Sequence, residues 1–319
     1  MNCSFTEGIS GMTEPAIRIG IDLGGSKIEL AAFGTDGQEH FRKRVPTPKR
    51  DYEAALRSIH ELVLEAEQEM GHPATVGIGT PGSLSPDTGL IRNANSTCLN
   101  DRPFKEDLEA ILGREIRLAN DANCFAISEA RDGAGAGEEI VFGVILGTGV
   151  GGGIVIRGKL HSGANAIAGE WGHNPLHGSG ASELPAPPCY CGRQGCVETY
   201  LSGPGLSQDH FQVSGQSASP EAIVLEAKRG DPACAGALER YEARLARSLA
   251  SIINVMDPDV IVLGGGLSHI QRLYVNVPRL WLPHIFSDTV RTSLLANRHG
   301  DSSGVRGAAW LWDATQESP

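Results

Sequence analysis

Residues 140–156 read Ile-Val-Phe-Gly-Val-Ile-Leu-Gly-Thr-Gly-Val-Gly-Gly-Gly-Ile-Val-Ile, and the three residues after the glycines decide the fold. Ile140 to Leu146 is an apolar, β-branched run of strand character. Gly147-Thr148-Gly149-Val150-Gly151-Gly152 then satisfies a G-x-G-x-x-G pattern. A dinucleotide-binding fold needs a helix to begin at that loop, so that its N-terminus faces a pyrophosphate. Here the loop, taken as Gly147 to Gly153, runs into Ile154-Val155-Ile156, a second strand. No G-x-x-x-x-G-K-S/T occurs, which removes the P-loop as well. What remains is a strand, a glycine turn and a strand, and backbone N–H groups in such a turn can cradle phosphate.

The same layout stands earlier in the chain. Ile17 to Leu23 and Ile28 to Phe33 are strand-like runs joined across Asp22-Leu23-Gly24-Gly25, with Ser26 and Lys27 beside the turn, and Phe41 to Val45 reads as a third strand. Asp22 has two readings: it positions Mg²⁺ through water, or it caps the turn. Two copies of one layout suggest duplicated α/β domains facing a cleft.

Around these runs, Asp51 to Met70 has helical spacing, and Val76 to Gly79 is a buried-strand candidate ending at Thr80-Pro81-Gly82. Phe104 to Leu112 is a short helix and Ile116 to Ala119 a strand. Asn120-Asp121-Ala122-Asn123 then opens a helix over Cys124 to Ala130. Composition turns to Gly, Ala and charge over Asp132 to Glu139, where a domain boundary is expected. Beyond the second glycine turn, Asp231 to Met256 carries a broad helical stripe, Val260 to Leu263 is a strand before Gly264-Gly265-Gly266, and Gly304 to Trp312 is a final helix. The expected division is a leader over 1–15, a small N-terminal α/β domain over 16–131 plus 303–319, and a larger α/β domain over 132–302.

Composition narrows the function. Of 319 residues, 41 are glycine, well above the usual ~7%, and they cluster beside apolar runs where backbone meets a ligand. The net charge of −11, with no basic face, argues against nucleic acid or an anionic membrane as the main partner. No apolar run of about 18 residues and no secretory h-region are present, so a cytoplasmic protein is expected. The 7 cysteines make a poor disulfide framework.

Cys189, Cys191 and Cys196 fall within eight residues, and His173 lies 16 residues before the first of them. Three thiolates and an imidazole form a closed tetrahedral set suited to structural zinc, Zn²⁺. The alternative is three reduced thiols without metal. A redox pair is disfavoured by the absence of C-x-x-C, and zinc hydrolysis by the lack of an open ligand position. Asp121, at a strand-to-helix junction, reads either as an N-cap or as the base that accepts a proton from a substrate hydroxyl. Glu170 and Glu198 flank the cysteine cluster, which would hold them rigidly. With Asn95, Asn120 and His173 they supply acceptors suited to sugar hydroxyls.

On these residues the chain resembles the ROK family of repressors, open reading frames and sugar kinases. The resemblance rests on Asp22-Leu-Gly24-Gly25-Ser26-Lys27, Asn120-Asp121, Gly147 through Gly158, Glu170-Trp171-Gly172-His173, Cys189-x-Cys191 to Cys196-x-Glu198, and Gly264 to Gly266. Ser26 departs from the family's usual Thr and keeps the hydroxyl. The resemblance implies an actin-like ATPase (ribonuclease H-like) fold, with ATP and a sugar meeting in the cleft. It implies Asp121 as catalytic base, and Pro81, Gly82, Asn95, Asn120, Glu170, His173 and Glu198 around the sugar. Asp22, Gly24, Gly25, Ser26, Lys27, Gly147, Thr148, Gly149, Val150, Gly151 and Gly264 to Gly266 would face MgATP. Zinc on His173, Cys189, Cys191 and Cys196, and a homodimer, are implied too.

Within the family, Asn93 to Thr97, Glu170 to Leu176 and His299 to Gly307 look most like bacterial fructokinases of the manno(fructo)kinase type. Glucokinases, mannokinases and N-acetylglucosamine kinases share the same core. A ROK repressor would carry a helix-turn-helix domain, for which the residues before Ile17 leave no room. A sugar sensor without activity should have lost Asp121 or the glycine turns.

Overall fold

The computed structural model describes residues 17–34, 36–48, 50–94, 96–178, 180 and 183–312. The 1–15 leader, Asn95 and the 313–319 tail of the expected small domain lie outside the described residues.

In chain order, the first half runs β1 (Ile17–Leu23), β2 (Lys27–Gly34), β3 (Glu39–Pro46), α1 (Tyr52–Met70), β4 (Thr75–Thr80), β5 (Ser83–Leu84), β6 (Ile91–Arg92), α2 (Phe104–Leu112), β7 (Arg117–Asn120) and α3 (Asp121–Arg131). Next come β8 (Ile140–Leu146), β9 (Val150–Ile156), β10 (Lys159–Leu160), α4 (Val197–Leu201), α5 (Gly203–Ser214), α6 (Pro220–Lys228) and α7 (Pro232–Met256). The chain closes with β11 (Val260–Gly264), α8 (Leu273–Leu280), β12 (Ser293–Ala296) and α9 (Ser303–Trp310).

Two five-stranded sheets carry the fold, ordered β3-β2-β1-β4-β7 and β10-β9-β8-β11-β12. In each, the glycine turn closes an antiparallel hairpin, β1–β2 or β8–β9, and two parallel strands continue the sheet. The duplicated layout expected from the sequence is therefore a duplication of sheet topology, and the fold is that of the actin-like ATPases.

Local chemistry sets the long helices. Asp51 caps α1 by accepting the Ala54 N–H at 2.9 Å, and Gly71 ends it in the left-handed conformation. Asp231 caps α7 through the Cys234 N–H at 2.7 Å, with Pro232 at the first helical position, where its missing N–H costs nothing. The apolar stripe of α1 packs on the first sheet with α2, and α7 packs among α4, α5, α6 and α8.

A third core lies between the sheets. It joins Phe33 and Ala31 of β2, Cys124, Phe125 and Ile127 of α3, Val141 and Val262 of the second sheet, and Val305, Ala308 and Trp310 of α9. The last helix thus returns to the first sheet. It approaches so closely that a Cβ on Gly77 would overlap the Ala308 carbonyl, and one on Gly307 the Cys124 carbonyl. The joint is pinned by charge. Asp132, just past α3, accepts from both Arg306 and His299, and these partners hold its carboxyl well below the usual range against the cost of burial. Glu129, fully buried in α3, accepts the N–H of Arg298 at 3.0 Å and the Ser303 hydroxyl at 2.9 Å.

Candidate active site

Several of the candidate residues gather at the carboxyl ends of strands, where α/β sheets open their ligand crevices. Asp22 lies near the end of β1, Pro81 and Gly82 follow β4, and Asp121 follows β7. Gly147 follows β8 and Gly265 follows β11.

The two readings of Asp121 separate at once. Asn120 is the cap of α3, its Oδ1 accepting the Asn123 N–H at 2.8 Å. Asp121 occupies the first helical position, with one carboxylate oxygen 2.8 Å from the Ala122 N–H. Its side chain keeps solvent access, yet the protein mass around it raises its pKa above the ordinary aspartate value, against the pull of those N–H donors. Burial, then the charge of Asp121, then that of Glu29, push Asp22 up to about 6, with Lys27 acting against them. The Asp22 carboxylate faces the first turn of α9 at Gly304.

Glu170 stands before the tight turn Trp171–His173. Trp171 anchors that turn by donating to the Gly151 carbonyl at 3.0 Å and packing edge-on to Phe142. Burial raises the Glu170 carboxyl, Asp121 and Glu198 add to the rise, and His173 and Arg92 oppose it. Glu198, in the first turn of α4, accepts the Val150 N–H at 2.9 Å. Asp22, Asp121, Glu170 and Glu198 thus form one acidic group that joins the two expected sets of ligand residues.

The second glycine turn is shorter than its motif. β9 starts at Val150, so the turn is Gly147 to Gly149, closed by the Gly147 N–H on the Gly149 carbonyl at 3.0 Å. The expectation of a loop through Gly153 is corrected. A Cβ on Gly153 would stand 2.7 Å from the Ala122 carbonyl, so that glycine seats β9 on α3. Val150 is buried in the second core. Gly203, opening α5, donates to the Gly147 carbonyl at 2.7 Å. Lys27 reaches Glu29 at 3.1 Å, within a ladder that Arg42 and Arg44 complete. In the first turn, the Gly24 N–H meets the Lys27 carbonyl at 2.9 Å, and Gly25 and Ser26 are exposed.

The cysteine–histidine set converges. Ligand atoms of His173, Cys189, Cys191 and Cys196 all lie within 4.8 Å of one another. The Nδ1 of His173 is 3.6 Å from the Cys189 sulfur, and its Nε2 is 3.0 Å from the Tyr190 hydroxyl. Hydrogen bonding from the Arg193 backbone draws the Cys191 thiol down to about 6, which favours the thiolate a metal takes. Donor number, softness and convergence fit a tetrahedral metal.

Two residues of this region were not singled out from the sequence. Arg92, on β6, donates to the Asn165 carbonyl at 2.8 Å, tying the short β5–β6 ladder to the loop that leads into Glu170. Tyr190 sits between two of the cysteines, against His173. Although the residue as a whole is exposed, protein crowded around the hydroxyl, followed by the charges of Glu198, Cys189 and Glu170, raises its phenol to about 12. The one signal in the sequence was position: Arg92 adjoins Asn93-Ala94-Asn95, and Tyr190 divides Cys189 from Cys191.

An acidic cluster beside two glycine turns, on two sheets of one topology, suits a sugar kinase of the actin-like fold, and comparison with known proteins agrees. A model of the ROK family matches residues 18–315, and the chain belongs to that family. It is 41% identical over 302 residues to the N-acetyl-D-glucosamine kinase of Pasteurella multocida, covering 93% of this chain and 99% of that one. It is 41% identical over 294 residues to the N-acetylgalactosamine kinase of Shewanella sp. (strain ANA-3), covering 92% and 95%. The ROK hexokinase of Thermus thermophilus superposes with a TM-score of 0.82 at 31% identity, covering 92% and 97%.

Proposed function

We propose that the protein is an ATP-dependent N-acetylhexosamine kinase, with N-acetylglucosamine as its foremost substrate. The observation that carries the catalytic part is the release of Asp121 from capping. Asn120 does that work, so the Asp121 carboxylate is left at the cleft as a proton acceptor of raised pKa. In this reading a sugar hydroxyl loses its proton to Asp121 while its oxygen attacks the terminal phosphorus of ATP. The bond from that phosphorus to ADP breaks, and the sugar leaves phosphorylated.

Glu170, Glu198, His173, Asn120, Pro81 and Gly82 surround the sugar in this reading. Gly24, Gly25, the Gly147 to Gly149 turn and Gly264 to Gly266 line the nucleotide side, and Asp22 orients the Mg²⁺ of MgATP. His173, Cys189, Cys191 and Cys196 would hold zinc, whose contribution is to fix the loop carrying Tyr190 and the start of α4.

The choice of N-acetylhexosamine over fructose draws on two lines of support. The Pasteurella multocida and Shewanella relatives are kinases of N-acetylated amino sugars. The stretch His299 to Gly307, which suggested fructose, has a different employment: His299 and Arg306 hold Asp132, and Gly307 seats α9 on α3. The free thiols among the described residues suit a reducing compartment, and we place the enzyme in the cytoplasm as a homodimer.

The test is ADP release from MgATP with N-acetylglucosamine, N-acetylgalactosamine, glucose, mannose and fructose. The highest kcat/KM is expected with N-acetylglucosamine. A preference for fructose would overturn the substrate and leave the kinase.

A further inference from the structure

His173 has two ring nitrogens, and in this fold they have different employers. Nδ1 points into the thiol set. Nε2 is met by the hydroxyl of Tyr190 at 3.0 Å, with the two rings edge-on at 5.2 Å and 82°. Tyr190 cannot drift far as a whole, because the residues on either side of it are both members of the converging thiol set. Its ring, however, belongs to a residue that is 83% exposed, and the contact with His173 is what holds it in place. The His173 N–H also meets the Glu170 carbonyl at 3.4 Å, and Glu198 stands in the first turn of the helix that Cys196 opens, so the set adjoins the two carboxylates proposed to hold the sugar. In the sugar-kinase reading the Nε2 side of His173 is the sugar side, and the Tyr190 hydroxyl already fills it.

We propose that Tyr190 is a positioning residue that holds the Nε2 of His173 in the sugar-free enzyme and yields it to a hexose hydroxyl when the sugar enters. Binding then exchanges one hydrogen bond for another at a fixed imidazole. The advantage is orientation. The ring of His173 is held from both edges before the sugar arrives, so the sugar meets a preorganised partner. The cost is competition, because the sugar must displace the phenol before it reaches Nε2. The inference rests on the sugar-kinase reading of the cleft but not on which hexose is preferred.

The sign of the effect separates this role from a structural one. Deleting a hydrogen bond that only stabilises the fold does not tighten a ligand. Deleting one that the ligand must break does. Tyr190→Phe keeps the ring and removes the hydroxyl. Metal content and melting temperature are measured alongside, so that a misfolded variant is recognised as one.

Sugar affinity without ATP is measured by calorimetry on the metal-loaded enzyme, and KM and kcat by ADP release, with N-acetylglucosamine and with glucose. Tyr190→Phe is expected to lower Kd and KM for the sugar by roughly fivefold, the worth of one net hydrogen bond, with kcat unchanged. A Kd that rises, or one that stays as in the wild type, would overturn the exchange. If the wild type prefers glucose, the substrate proposal fails, while the same comparison on glucose still decides the role of Tyr190.

Discussion

Asn120 caps the helix that Asp121 begins: the Asn120 Oδ1 accepts the Asn123 N–H at 2.8 Å, leaving Asp121 one position inside. In the proposed mechanism the cap is the work of Asn120 and the proton transfer that of Asp121. Asp121→Asn is expected to lower kcat by about 10²–10⁴-fold, the range of a lost general base, while the melting temperature holds. Asn120→Ala is expected to cost about 1 kcal/mol of stability as a lost cap. Denaturant titration and ADP-release kinetics on both variants check this. A near-wild-type kcat in Asp121→Asn would remove it from the mechanism.

The metal set predicts a different pattern. Metal analysis of purified protein is expected to give about one zinc per chain, since three thiols and one imidazole converge within 4.8 Å. Cys191→Ser should lose that zinc and melt far earlier, with a smaller proportional fall in kcat at low temperature. Unchanged melting with abolished turnover would move the metal from the scaffold to the chemistry.

How much of this was readable beforehand depends on the range of the contacts. Both glycine hairpins, the amphipathic α1, the helix opened by Asp121 and the cysteine–histidine set are local patterns, and they stand where the chain text put them. The start of β9 at Val150 was missed because glycine carries no strand propensity, and Gly151 to Gly153 are strand residues for a tertiary reason, the approach of α3. Arg92 and Asn165 are 73 residues apart in sequence, and nothing in either neighbourhood announces the other. The helices α4 to α6 likewise lack a long periodic stripe, being five, 12 and nine residues long.

Asp22 gives a pH prediction. Its carboxyl titrates at about 6 in the fold, chiefly through burial and next through Asp121, against about 3.9 in an unfolded chain. Between those values the folded state holds more proton, so stability falls as pH rises from about 4 through 6, and the penalty is complete above 6. Asp22→Asn is expected to be more stable than wild type at pH 7.5, on the order of 2 kcal/mol, with the advantage vanishing near pH 4. Melting curves across that range decide it, and a difference that does not change with pH would refute the assignment. Turnover with MgATP should fall in the same variant.

Arg92 tests whether the β5–β6 ladder supports the loop that leads into Glu170. Its guanidinium donates to the Asn165 carbonyl at 2.8 Å and lowers the pKa of Glu170 against the burial that raises it. Arg92→Ala should therefore free the loop before Glu170 and raise the sugar KM by about tenfold, the worth of a charged hydrogen bond. The KM for ATP should hold, because the proposed arrangement puts this bond on the sugar side of the acidic group. Equal rises in both KM values would show a general loosening instead.

The loop before the cysteines is held by charge taken out of water. Glu183 is 8% exposed, and it accepts from Arg244 at 3.0 Å and from Arg247 at 2.6 Å, while Arg244 also reaches Asp209 at 2.6 Å. These arginines belong to α7, so the network ties the approach to Cys189 to the longest helix of the fold. Its arginines hold the Glu183 carboxyl below its ordinary value even though burial works the other way. Removing Glu183 leaves Arg247 without its carboxylate and Arg244 with Asp209 alone, and Glu183→Ala is expected to cost about 3 kcal/mol. Replacing the group together, with Glu183→Leu and Arg244→Met, should cost less than the single change, because fewer charges are then left unpaired. Urea titrations of the two variants make the comparison. A double variant weaker than Glu183→Ala would mean that the network stabilises the loop beyond what well-packed apolar side chains supply.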